Sequence, residues 1–142
     1  MGNTQSVKKI NFEDVQYAIR NGETHVLINT LETNFQECLL PNTINAEKEE
    51  QIVNHLISTG KTSIKIIIYG KNGNDEKIYK KYNQITGFGF YNVYIYVGGM
   101  FEWLLLQDIY GAKEFPTTKK ELDLLRFKPS KMLNVPLLEY NS

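Results

Sequence analysis

An α/β fold, with a mostly parallel sheet and helices on both faces, follows from three observations. Residues 64–69 form a nearly unbroken apolar run, Ile64, Ile66, Ile67, Ile68 and Tyr69 broken only by Lys65. A strand this apolar is buried on both faces, the mark of a parallel sheet. Stretches with helical spacing separate the strand-like runs, as layered α/β folds require. A glycine-containing loop, residues 70–75, then joins the apolar strand to a helical pattern. Such a strand, loop and helix start makes a cradle of backbone N–H groups suited to an anion or a nucleophile.

In chain order, Asn11 is expected to cap a helix through Phe12, Val15 and Ile19, with Gly22 as its stop. Residues 25–30 read as a strand. An irregular stretch through Pro41 leads to Glu47, Lys48, Glu49 and Glu50, an acid-rich first turn for a helix through Ile52, Val53, Leu56 and Ile57 that ends near Gly60. After the central strand, Asn74 is expected to cap a helix with Asp75 and Glu76 in its first turn and Ile78, Tyr79, Tyr82 and Ile85 on its inner face. A strand over residues 93–97 and a helix around residues 101–109 follow. Ile66, Ile67, Ile68, Val93 and Ile95 are the expected sheet core. Beyond Gly111, Thr118 and Glu121 stand at capping-box spacing, predicting a short helix that buries Leu122, Leu124 and Leu125. From Pro129 to Tyr140 the chain reads as extended, packed on its own surface or offered to a partner. The organisation is thus an N-terminal segment (1–10), an α/β domain (11–111) and a C-terminal extension (112–142).

Composition bounds the function classes. At 142 residues, 42% hydrophobic and 23% charged, the chain suits one domain with a sizeable core. Its net charge is zero, and Arg20 and Arg126 are its only arginines, which argues against nucleic-acid binding. Cys38 is the one cysteine, so an internal disulfide and most zinc sites are excluded. No metal or cofactor is expected. A single cysteine fits a cytosolic, reducing location, and the chain has neither a long apolar run nor a secretory-type start.

Four segments in order carry a family resemblance. Residues 26–29 (Val-Leu-Ile-Asn) and 35–45, the latter containing Pro41, Asn42, Thr43, Ile44 and Asn45, precede the loop. Gly89, Phe90 and Val93, then Gly98, Gly99 and Trp103, follow it. This pattern, over roughly residues 11–110, resembles the rhodanese-like family. Its active loop reads Cys-x-x-Gly-x-Arg, where this chain has Gly70, Lys71, Asn72, Gly73, Asn74 and Asp75. The resemblance implies a rhodanese-like parallel sheet flanked by helices, with Trp103 plugging the core beneath the loop. It also implies that a persulfide or phosphoryl carrier belongs at Gly70 and an anion-binding guanidinium at Asp75. Both are missing, and no Cys, Ser or Thr lies between Tyr69 and Gln84. The loop is therefore expected to be structural and the domain a non-catalytic pseudoenzyme acting as a binding or scaffolding module. Two alternatives stay open: a sulfurtransferase or phosphatase using Cys38, and a small-ligand sensor using residues 70–75.

The remaining reactive groups have plainer readings. His25 and His55 read as half-exposed structural residues. Phe88, Phe90, Tyr91, Tyr94 and Tyr96 lack interleaved cations and read as packing around a sheet edge. At the start, Met1, Gly2 and Ser6 fit the N-myristoylation pattern, with small uncharged side chains between. One acyl chain binds membranes only marginally, and Lys8 and Lys9 supply a thin second signal. The expected module is thus a lipoprotein carrying myristate on Gly2, cytoplasmic and peripheral on a membrane, with a protein partner the sequence does not name.

Overall fold

The computed structural model describes residues 6–133. Four parallel strands form one sheet in the order β1-β4-β3-β2: β1 is Lys9–Ile10, β2 His25–Asn29, β3 Lys65–Tyr69 and β4 Val93–Tyr96. Helices α1 (Phe12–Arg20), α2 (Glu49–Ser58), α3 (Lys77–Gly87) and α4 (Gly99–Tyr110) connect or follow them. The mostly parallel sheet with helices on both faces is the expected architecture.

Side-chain alternation along β3 builds two cores. Ile66 and Ile68 point to one face, where they meet Val53 and Leu56 of α2 and Ile78, Tyr82 and Ile85 of α3. Ile67 and Tyr69 point to the other, against Val15 and Ala18 of α1 and Met100, Trp103 and Leu104 of α4. The five expected core residues, Ile66, Ile67, Ile68, Val93 and Ile95, are all at most 2% exposed.

The first helix starts as expected. Asn11 Oδ1 accepts from Asp14 N at 3.1 Å while Asp14 Oδ2 accepts from Asn11 N at 3.1 Å, a reciprocal capping box. Several starts or segments differ. Strand β1 was not anticipated; two residues are too short to show alternation, and their pairing with Ile95 and Tyr96 is long-range. The acid-rich turn before α2 is a 3-10 turn, Ala46–Lys48, capped by Asn45, and the α-helix proper begins at Glu49.

The helix expected from Thr118 and Glu121 is absent. Thr118 Oγ1 instead donates to Glu37 O (2.9 Å) and accepts from Leu39 N (3.0 Å), and Glu121 pairs with Arg126 at 2.7 Å. With both capping side chains spent elsewhere, the chain makes only a 3-10 turn at Leu124–Phe127. Leu122 and Leu125, expected to be buried, are 80% and 62% exposed, and Phe115 and Phe127 enter the core in their place. The expected extended tail lies outside the described residues from 134 onward.

Candidate functional site

Because the sheet is parallel, the 70–75 loop sits at the carboxyl end of β3, where open α/β sheets place their ligands. The loop is held from below by α4. Gly70 O accepts from Met100 N at 3.0 Å and Lys71 O from Phe101 N at 2.8 Å. Gly99 makes this approach feasible: its φ is +64°, and a Cβ there would lie 2.7 Å from Gly70 O and 2.9 Å from Asn72 N. The sequence Gly98-Gly99 therefore serves loop and helix contact. Trp103 lies wholly buried beneath, edge-on to Phe115 at 5.1 Å, with its Nε1–H donating to Pro116 O at 2.9 Å.

The loop bonds part of its own backbone. Asn72 is 7% exposed; its Oδ1 accepts from Asn74 N at 2.9 Å and its Nδ2 donates to Phe127 O at 2.8 Å. Asp75 Oδ1 accepts from Lys77 N at 3.0 Å. Asp75, rather than Asn74, thus serves the start of α3; Asn74 sits inside the turn that Asn72 organises. Three of the N–H groups at this turn and helix start, those of Asn74, Asp75 and Lys77, are thus occupied by the loop's own oxygens.

Gly70 presents nothing, and the space beside it is small. A Cβ there would stand 2.7 Å from Thr30 Oγ1, 2.8 Å from Asp75 Oδ2 and 3.0 Å from Ile78 Cγ2.

Lys71 and Lys77, beside the loop, are already paired. Glu32 accepts from Lys71 at 3.0 Å and Lys77 at 3.4 Å. The hydrogen bond from Lys71, then its charge, then Lys77 hold the Glu32 carboxyl below its usual range. Lys71 Nζ and Arg126 Cζ also lie 4.1 Å and 4.5 Å from the centre of the Phe35 ring. A 320 Å³ cavity opens above the loop between Asn74, Asp75 and Lys77 on one side and Lys128 and Ser130 on the other.

Cys38 is elsewhere. It is 6% exposed, and burial pushes its thiol pKa up, against a hydrogen bond with Thr117 that pulls it down. It borders a separate 160 Å³ cavity with Phe35, Lys119 and Arg126. His25 is buried, not half-exposed, with Nδ1 2.8 Å from Thr24 Oγ1; His55 is exposed on α2. Among the aromatics, Phe90 and Tyr96 pack as expected, whereas Phe88 and Tyr91 are 46% and 61% exposed. Gly2 lies outside the described residues. Among the described residues no cluster of metal-ligating side chains occurs, and no helix is long and apolar enough to cross a membrane.

Sequence reasoning named Asn72 as a loop position but missed that its carboxamide organises the turn, and it missed Glu32, which pairs with Lys71 and Lys77. An Asn within a glycine-bearing turn is a readable local signal, since its side chain bonds nearby backbone. Its second partner, 55 residues away, leaves no such trace.

This strand, loop and helix arrangement is that of a rhodanese-like α/β domain. The model of the Rhodanese-like domain family matches residues 13–106, and the chain belongs to that family. Solved structures share its fold. A rhodanese-like domain from Anabaena sp. is 18% identical, with a TM-score of 0.55 over 89% of this chain and 88% of that one. A Bacillus halodurans protein is 18% identical, with a TM-score of 0.54 over 73% of this chain and 74% of that one. A single-domain sulfurtransferase from Saccharomyces cerevisiae is 17% identical, with a TM-score of 0.50 over 77% of this chain and 98% of that one. No curated protein matches in sequence. The chain is a rhodanese-like domain with no cysteine in its active loop.

Proposed function

We propose that this domain is a non-catalytic rhodanese-like binding module, cytoplasmic and held reversibly at a membrane through a myristoylated Gly2. The missing nucleophile at Gly70 carries the non-catalytic part of the reading. Sulfur or phosphoryl transfer needs a nucleophile beside donors free to hold an anion. Here Gly70 has no side chain, and Asn72 and Asp75 consume the N–H groups of Asn74 and Lys77. Cys38 does not supply the missing thiolate, because burial keeps it protonated and no His is bonded to it among the described residues.

The test is a thiosulfate to cyanide transfer assay on the full chain, run beside an aryl-phosphate hydrolysis assay. Neither should exceed buffer, and Cys38→Ser should change nothing; turnover lost in Cys38→Ser would make Cys38 the nucleophile. For the tether, co-expression with an N-myristoyltransferase should add one acyl mass, and Gly2→Ala should abolish it.

The 320 Å³ cavity above the loop supports a second reading, a sensor for a small ligand with a neutral or cationic group drawn to Asp75. A ligand-dependent rise in melting temperature that Asp75→Asn removes would favour it.

A further inference from the structure

The parallel sheet puts the N-terminal ends of its strands at one end of the molecule and the 70–75 loop at the opposite end. The chain enters at the first of these ends. Lys8 O accepts from Ile95 N at 2.8 Å as β1 joins the sheet, and Lys8 Nζ donates to Tyr91 O at 3.0 Å while standing 5.6 Å over the Tyr94 ring. Ser6 and the α3–β4 loop are therefore neighbours.

That end has a distinct chemistry. Tyr91 and Phe88 flank Gly89 on the α3–β4 loop and are 61% and 46% exposed. Lys8, Lys9, Lys61 and Lys65 are exposed, and none of them enters an ion pair among the described residues. The connecting segments 59–65 and 86–92 contain no Asp or Glu; the α1–β2 turn brings Glu23, close after Arg20. In a chain of zero net charge, this end is locally cationic and aromatic.

From these observations we infer that this end, Tyr91 and Phe88 with Lys8, Lys9, Lys61 and Lys65, is the face that meets an anionic lipid bilayer. The inference rests on the reading of Gly2 as acylated and adds the orientation. Gly2 is four residues from Ser6, a reach of at most about 14 Å when fully extended. An acyl chain inserted in the bilayer therefore holds this end, and no other, near the headgroups. Tyrosine rings suit the headgroup level, and lysines suit an anionic leaflet. The 70–75 loop then faces away from the membrane, open to a soluble partner.

The myristoylated full chain is bound to vesicles of phosphatidylcholine with and without phosphatidylserine. Nitroxide labels are placed through Tyr91→Cys and, separately, Asn74→Cys, with buried Cys38 left in place and an unsubstituted control. On anionic vesicles the label at 91 should gain oxygen collisions and lose contact with a water-soluble nickel quencher, while the label at 74 stays aqueous. Tyr91→Ala should weaken partitioning, and Lys61→Gln and Lys65→Gln should each cost up to about fivefold on anionic vesicles only. If no acyl mass appears, the Gly2 reading fails by itself. The orientation is then read with the same labels on a chain tethered by an N-terminal hexahistidine to nickel-chelating lipid. In either format, bound protein whose label at 91 remains aqueous, or whose label at 74 enters the bilayer, overturns the inference.

Discussion

The side-chain amide of Asn72 donates to the carbonyl oxygen of Phe127 at 2.8 Å, joining the family's active loop to the C-terminal segment across 55 positions. The same side chain organises the turn through Asn74 N. Asn72→Ala removes both bonds and leaves the Phe127 carbonyl buried without its partner, which should cost about 1–3 kcal/mol. Urea unfolding measures the loss, and amide exchange should quicken in residues 124–133 more than in β3. Unchanged exchange there would show that this bond does not hold the segment.

Two glycines should respond oppositely to alanine. Gly99 has φ +64° and its Cβ would strike loop backbone, so Gly99→Ala should cost at least about 1–2 kcal/mol from the backbone alone. Gly87, in the last turn of α3, has nothing within 4 Å of its Cβ position, and Gly87→Ala should stabilise by about 0.5–1 kcal/mol. Melting temperatures that move in the same direction would contradict this account of the Gly98-Gly99 motif.

Ile67 is 2% exposed in the α1–α4 core, on the central strand. Ile67→Ala should cost about 2–5 kcal/mol by chemical denaturation. A loss below about 1 kcal/mol would mean that β3 is not the strand around which the domain packs.

How far the structure was legible depended on the range of the interactions. The Ile64 to Tyr69 run and the spacing of Ile78, Tyr82 and Ile85 carry their periodicity within a few residues, and β3 and α3 form where it places them. The missing cysteine at Gly70 was also readable, because a motif is local. Thr118 and Glu121 misled because other partners take the same atoms: Glu37 and Leu39 hold the Thr118 hydroxyl through tertiary contact, and Arg126, five residues on, holds the Glu121 carboxylate. The short β1, the exposure of Tyr91 and the pairing of Glu32 with Lys71 and Lys77 likewise depend on chain segments far apart in sequence.

Alkaline pH should be the more damaging extreme. Tyr69 is raised above its ordinary pKa by burial, and Tyr96 by burial and then by its bond to Glu102; Cys38 is raised by burial. Each binds its proton more tightly when folded, so its contribution is complete below the unfolded pKa and is lost as pH rises through the folded one. For Cys38 the loss begins above about pH 9, and for the tyrosines above about pH 10. The melting temperature should therefore fall from about pH 9 upward. Tyr96→Phe should flatten part of that fall. On the acid side, Glu32 and Glu37 are lowered by their lysines, so their contribution fades as pH drops below the usual carboxylate range. Both pairs are exposed, so this change should be small and screened by salt. A sharper transition at pH 4 than at pH 11 would reverse the assignment.

Restoring chemistry should require more than restoring the thiol. Gly70→Cys places a Cβ 2.7 Å from Thr30 Oγ1 and 2.8 Å from Asp75 Oδ2, so the side chain must displace both. The Asp75 carboxylate would also raise the pKa of the new thiol and repel thiosulfate. Gly70→Cys alone should therefore show little thiosulfate to cyanide transfer. Adding Asp75→Arg removes one of the two oxygens, reverses the local charge and supplies a guanidinium suited to an anion. It also frees Lys77 N, which Asp75 Oδ1 now occupies. Thr30→Ala removes the second crowding oxygen. Transfer should rise from the single to the double to the triple variant, and alkylation of the new thiol should quicken from the single to the double, where a guanidinium replaces the carboxylate and lowers its pKa. If Gly70→Cys alone is as active as the triple variant, then the missing thiol is the only defect, and neither Asp75 nor the crowding around Gly70 holds the loop inactive.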